Sequence, residues 1–236
     1  MKVYIVGAGP GDPELISVKG LKVLKKADCL LYDFLAGPAL LRHTKRSCEK
    51  ICVGKKDGLH LLEQKQINRL LADKAAAYRT VVRLKGGDPF VFSRGSEEAR
   101  YLLRRGIPCE VIPGITSALA APASFGIPLT MKGRVQSVSI ITGHKQDPDA
   151  EIDAFAGRGT LVYLMAVGNV VNVVKALKKS GRPDSCPCAF IERGTCAAER
   201  IVRATVGTLV KRTHQAQVKA PAVLVVGEVV RCSSPG

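Results

Sequence analysis

Arg83-Leu84-Lys85-Gly86-Gly87-Asp88-Pro89-Phe90-Val91-Phe92-Ser93-Arg94-Gly95 follows the apolar pair Val81-Val82 and precedes Ser96-Glu97-Glu98-Ala99. An apolar strand therefore runs into a loop that glycine and proline keep out of a helix, and then into a helix whose first turn carries acids. Two adjacent glycines let backbone approach a ligand closely, and Asp88 adds a carboxylate at the same place. In open α/β sheets ligands collect at the carboxyl ends of strands, which is where this loop lies. The plain alternative is a tight turn that needs glycine only for its dihedral angles.

Working outward, the same grammar repeats. Lys2 to Val6 reads as a strand, Gly7-Ala8-Gly9-Pro10-Gly11-Asp12-Pro13 as a loop, and Ser17 as the cap of a helix through Leu21 and Leu24 to Ala27. The third glycine of a dinucleotide fingerprint is replaced by Asp12, so a nicotinamide-binding motif is not formed. Cys29 to Tyr32 ends at Asp33, and Lys50 to Val53 ends at Gly54-Lys55-Lys56. In a parallel sheet Asp33 and Lys55 would share the carboxyl edge with the glycine loops. Further strands are predicted at Thr80 to Leu84 and Cys109 to Ile112, with helices through Leu62 to Ala77 and Glu97 to Arg105. A small-residue helix is expected to begin in Ile115-Thr116-Ser117-Ala118.

The second half offers strands at Ser137 to Thr142, Thr160 to Met165, Ala189 to Arg193, Ile201 to Thr205 and Ala222 to Val230, and one helix, Val170 to Lys179. The later strands leave no room for helices, which predicts a mixed sheet. The expected organisation is α/β in two domains, residues 1–113 with a parallel sheet and 114–236 with a mixed one.

With 236 residues, 46% hydrophobic and 24% charged, the chain reads as globular. No apolar run reaches the roughly 18 residues of a membrane span, and the start leads directly into a strand, so a cytoplasmic protein without a membrane partner is expected. Eight scattered cysteines form no C-x-x-C pair and no histidine cluster accompanies them, which predicts reduced thiols and no metal site. The net charge of +16 suits a polyanionic partner, either nucleic acid or a small molecule rich in carboxylates. With five Tyr, six Phe and no Trp, no stacking platform for bases is evident, and a basic but inert surface is equally compatible.

The set Val6-Gly7-Ala8-Gly9-Pro10-Gly11-Asp12-Pro13, Leu31-Tyr32-Asp33, Val53-Gly54-Lys55-Lys56, Arg83 to Phe92, Pro113-Gly114-Ile115-Thr116-Ser117-Ala118, Thr142-Gly143-His144 and Glu192-Arg193-Gly194-Thr195 resembles the tetrapyrrole methylases, in order and over essentially the whole chain. The resemblance implies two α/β domains with the active site in the cleft between them, S-adenosylmethionine as cofactor, S-adenosylhomocysteine as product, and a homodimer. By motif position it implies cofactor contacts at Pro10, Gly86, Gly87, Asp88, Val91, Thr116, Ser117, Met165 and Gly194. It further implies transfer of two methyl groups to uroporphyrinogen III, giving precorrin-2 for siroheme or cobalamin, with Asp33 as proton acceptor and Lys55 as proton donor. The eight carboxylates of that macrocycle would give the basic surface a small-molecule purpose. Phe34 stands where the family commonly has Arg, Met131-Lys132 where it has His-Arg, and Ser93 where it has Gly. A methylase of the same fold acting on another precorrin or on RNA is the alternative. From other classes, an NAD-dependent oxidoreductase is opposed by Asp12, and a non-enzymatic nucleic-acid binder is motivated by charge alone.

Overall fold

The structure, a computed structural model, describes residues 1–54, 62–144 and 152–232. The chain divides into two compact units, Met1–Thr116 and Ser117–Gly236.

In the first unit, β1 (Lys2–Gly7), β2 (Cys29–Tyr32), β3 (Glu49–Cys52), β4 (Thr80–Lys85) and β5 (Cys109–Ile112) form one sheet in the order β3-β2-β4-β1-β5. Every neighbouring pair is parallel. Helices α1 (Val18–Leu24), α2 (Pro38–Leu41), α3 (Gln64–Ala77) and α4 (Gly95–Leu103) fill the crossovers. Ser17 caps α1 by accepting the Gly20 N–H at 3.1 Å. Alternation along the strands separates two apolar clusters. Val6, Leu30, Val82, Leu84 and Ile112 join Leu24 of α1 and Leu40 of α2. Val3, Cys29, Leu31 and Val81 join Ile67 and Leu71 of α3 and Leu102 of α4.

The second unit opens with α5 (Ser117–Ser124) and continues through β6 (Val138–Thr142), β7 (Thr160–Leu164), α6 (Val170–Lys179), β8 (Pro187–Glu192), β9 (Arg200–Thr205), α7 (Leu209–Gln215) and β10 (Ala222–Val226). Its sheet runs β6-β7-β10-β8-β9. Only β6 and β7 pair in parallel; β10 is antiparallel to β7 and β8, and β8 to β9. One face packs Leu161, Tyr163, Phe190 and Leu224 with Val173 and Leu177 of α6 and Leu209 of α7. The other packs Val162, Ala189, Ile191 and Val225 with Ala118 and Ala121 of α5.

Two expectations fail here. Helix α7 lies between β9 and β10, where the sequence reading leaves no room for one. It spans seven residues and buries only Leu209 and Thr213, too short a run to show helical periodicity. The Val-rich run Ala222 to Val230 is not one strand: Gly227, at φ +137°, breaks it, and Glu228–Cys232 forms a 3-10 helix. The small-residue helix starts at Ser117, leaving Ile115 and Thr116 before it.

Candidate active site

The loops after β1 and β4 are joined backbone to backbone. Gly87 N–H donates to the Gly9 carbonyl at 2.8 Å and Gly9 N–H to the Gly87 carbonyl at 3.2 Å, while Ala8 N–H donates to Lys85 O at 2.7 Å. Gly87 takes φ +65° and Gly9 φ +84°, conformations that favour glycine. Behind this bridge the main chain crowds. A Cβ on Gly7 would lie 2.5 Å from Gly114 Cα and 2.6 Å from the Gly87 carbonyl oxygen.

The Asp88 carboxylate is a clamp within the same set of loops. Oδ1 accepts the Phe90 N–H at 2.7 Å, and Oδ2 accepts the Gly114 N–H at 3.1 Å, tying the β4 loop to the segment after β5. Ser93 closes the rest of the turn, its hydroxyl donating to the carbonyls of Asp88 at 2.9 Å and Pro89 at 2.5 Å. Gly86, Gly87 and Asp88 remain half-buried, so their backbone is within reach of a bound molecule.

Asp33 follows β2 directly, its N–H bonded to Leu84 O at 3.2 Å. Gly54, just past β3, lets the neighbouring strand end abut it: a Cβ there would sit 2.5 Å from the Phe34 nitrogen. The Asp33 carboxylate accepts from Arg83 Nη2 at 2.5 Å through Oδ1, and its Oδ2 lies 3.8 Å from Lys85 Nζ. Both cations are buried, with side-chain exposures of 2% and 3%, and both also meet Glu98 of α4, which is fully buried. Glu98 Oε1 accepts from Lys85 Nζ at 2.9 Å, Gln64 Nε2 at 3.1 Å and Arg83 Nε at 3.2 Å. Burial opposes the Arg83 charge, but the carboxylates of Glu98 and Asp33 outweigh it and raise its pKa. For Lys85, burial and then repulsion from Arg83 lower the pKa, and attraction to Glu98 and Asp33 offsets this only in part.

In the second unit Met165 follows β7 at φ +57° and is 50% exposed. Gly194 follows β8; a Cβ there would lie 2.8 Å from Ala121 Cα, so glycine is what lets this strand end meet α5. β10 pairs Val223 with Leu164 and Ala222 with Glu192, which places Met165 and Gly194 on one edge of this sheet. Gly143 is at the same edge, its N–H bonded to Leu164 O at 2.7 Å. Ser117 begins α5 on this unit.

Of the residues expected from sequence, Pro10, Gly86, Gly87, Asp88 and Val91 thus gather on the joined loops of the first unit, with Asp33 at the neighbouring strand end. Thr116 is buried and closes that unit. Lys55 lies outside the described residues. The sequence reading missed Arg83, Lys85 and Glu98. The signal was present: Arg83 and Lys85 alternate within an apolar parallel strand, so both point to one buried face and require an acid there. Glu98 looks like an ordinary first-turn acid and is instead their partner.

None of the eight cysteines forms a disulfide, and burial pushes Cys29 and Cys188 up to about 12. Among the described residues no helix is long and apolar enough to cross a membrane.

Comparison with known proteins agrees with this architecture. The family model for Tetrapyrrole (Corrin/Porphyrin) Methylases matches residues 2–210. The chain is 45% identical over 233 residues to the uroporphyrinogen-III C-methyltransferase of Methanocaldococcus jannaschii, covering 97% of this chain and 96% of that one. It is 44% identical over 233 residues to the siroheme synthase of Azotobacter vinelandii, covering 98% of this chain but only 50% of that larger protein. Among solved structures, uroporphyrin-III C-methyl transferase from Thermus thermophilus complexed with S-adenyl homocysteine superposes with a TM-score of 0.85 at 42% identity, covering 98% of this chain and 100% of that one. By its motifs, its two sheets and a family match across most of its length, the chain belongs to the tetrapyrrole (corrin/porphyrin) methylase family.

Proposed function

We propose that the protein is an S-adenosylmethionine-dependent C-methyltransferase that adds two methyl groups to uroporphyrinogen III, giving precorrin-2 on the way to siroheme or cobalamin. The observation that carries this reading is the Asp33 carboxylate, anchored to buried Arg83 at 2.5 Å on the strand edge that also bears the joined glycine loops. Relatives at 45% and 42% identity carry the name of this reaction, one of them with the cofactor's demethylated product bound.

The residues present fit the cofactor. The first unit by itself offers half-buried backbone at Gly86, Gly87 and Asp88 and the Thr116 hydroxyl, and the second unit by itself offers the exposed Met165 thioether and the Ser117 hydroxyl, groups of the kinds that an amino acid, a sulfonium and a nucleoside call for. Pro10, Val91 and Gly194 complete the proposed contacts. When bound, the cofactor supplies a methyl group on cationic sulfur, which an electron-rich pyrrole carbon attacks. Methylation leaves the ring system cationic, and a proton must then leave it. Asp33 takes that proton at Oδ2, the oxygen without a hydrogen-bond donor among the described residues, while Oδ1 stays on Arg83. Lys55 is the proposed proton donor. Much of the acceleration comes from holding the two reactants in line and excluding water. The excess of Lys and Arg, 36 against 20 acids, complements a substrate with eight carboxylates. A cytoplasmic homodimer that binds neither nucleic acid nor membrane completes the reading.

The test is anaerobic incubation of the purified protein with S-adenosylmethionine and uroporphyrinogen III, read by product mass and absorbance. A gain of two methyl groups is expected. Cofactor binding without methyl transfer would remove this substrate and turn attention to other precorrins and RNA.

A further inference from the structure

The cluster behind Asp33 is poorly built for stability. Two cations and one carboxylate, Arg83, Lys85 and Glu98, are taken out of water together, and the second carboxylate that balances them, Asp33, is the partly exposed one. One oxygen of Glu98 carries three donors, and the other, Oε2, has no hydrogen-bond partner among the described residues. An apolar cluster of the same volume would serve the fold at least as well. What the arrangement does achieve is directional. Glu98 Oε1 fixes Arg83 at Nε, and the planar guanidinium then delivers Nη2 to Asp33 Oδ1 at 2.5 Å. The same oxygen holds Lys85, whose Nζ stands 3.8 Å from Asp33 Oδ2 without a hydrogen bond to it. The positive charge not matched by Glu98 falls on Asp33, whose Oδ1 is anchored and whose Oδ2 has no hydrogen-bond donor among the described residues.

Resting on the reading of Asp33 as the base, we propose that Glu98 is a positioning residue for methyl transfer: through Arg83 and Lys85 it holds Asp33 so that Oδ1 is tethered and Oδ2 receives the proton. Glu98 touches neither substrate nor cofactor in this role. It acts only through the two cations.

The experiment is a double-mutant cycle on the full chain, with turnover, KM for uroporphyrinogen III and cofactor dissociation constant measured for Glu98→Gln, Asp33→Asn and the double variant. Glu98→Gln is expected to lower kcat about 10- to 100-fold while KM and cofactor affinity stay within about twofold, and Glu98→Asp to recover part of the loss. In the Asp33→Asn background, Glu98→Gln is expected to cost nothing further, because its effect passes through Asp33. Equal losses in both backgrounds would overturn the proposal while leaving Asp33 as the base. Full turnover in Asp33→Asn alone would remove the base and the proposal with it. Should Glu98→Gln fail to fold, Arg83→Lys keeps the charge but loses the fork; the same loss of kcat, absent in the Asp33→Asn background, is expected, and an additive loss would overturn the proposal.

Discussion

The two units bury their sheets against helices in different ways. In the second unit the face under α6 and α7 is mainly apolar, filled by Leu161, Tyr163, Phe190 and Leu224, with buried Glu192 at the end of β8. The Tyr163 hydroxyl there donates to Asp153 O at 2.9 Å. In the first unit the face under α3 and α4 begins equally apolar at Val81 but ends in Arg83 and Lys85, held by Glu98. A sheet needs only the first solution to be stable. Burying ions instead of apolar side chains contributes little or nothing to stability. The second unit also buries Glu192, paired with Arg200 at the end of β8, and Arg182, which donates to Gly159 O at 2.7 Å, but only the Arg83–Lys85–Glu98 cluster adjoins Asp33, and the proposed role of Asp33 accounts for it.

Four changes sharpen or break this contrast. Asp33→Asn is expected to reduce turnover by about 10²- to 10⁴-fold with cofactor affinity by equilibrium dialysis nearly unchanged. Phe190→Ala, in the face under α6 and α7, should cost about 3–5 kcal/mol in denaturant unfolding, because the ring is fully buried. Replacing the charged face as a whole, Arg83→Met with Lys85→Leu and Glu98→Leu, should change unfolding free energy by about 0–4 kcal/mol in the stabilising direction while abolishing turnover. A large loss of stability there would show the cluster to be structural and end the contrast.

The smallest effect concerns pH. Hydrogen bonds from Lys19 and Lys2 hold the Glu110 carboxyl down at about 2. A carboxyl depressed on folding stabilises above its unfolded pKa of about 4.3 and loses that contribution as pH falls through the folded value. Thermal unfolding followed from pH 5 to pH 2 should therefore show a decline that Glu110→Gln makes shallower. Both ion pairs are partly exposed, so the difference should be modest and should shrink with added salt.

Strands were the most legible part of the chain, because short apolar runs bounded by glycine, proline or acids are a strong local signal. Cys29–Tyr32 and Cys109–Ile112 are found with the bounds read from sequence. What stayed hidden depended on long-range partners or on too short a signal. Helix α7 completes its apolar surroundings with Val206 and Val218 from outside its own span. Glu98 lies three residues into a helix that has Glu97 beside it, and nothing local says that one acid is exposed in a pair with Arg94 while the other is buried between two cations. The position of Asp33 at a strand end was legible. Its tether to Arg83, fifty residues away in sequence, was not.

The crossing of Gly7, Gly87 and Gly114 sets a different kind of limit. An added side chain at Gly7 collides with main-chain atoms of the other two, not with side chains. A clash with a side chain can be undone by shortening that side chain elsewhere, but a clash with backbone has no such remedy. Loss of glycine at Gly7 should therefore yield no intragenic suppressors at neighbouring positions, only reversion, whereas loss of Gly20, whose nearest neighbours are the side chains of Ser17, Val6 and Ile16, should yield them.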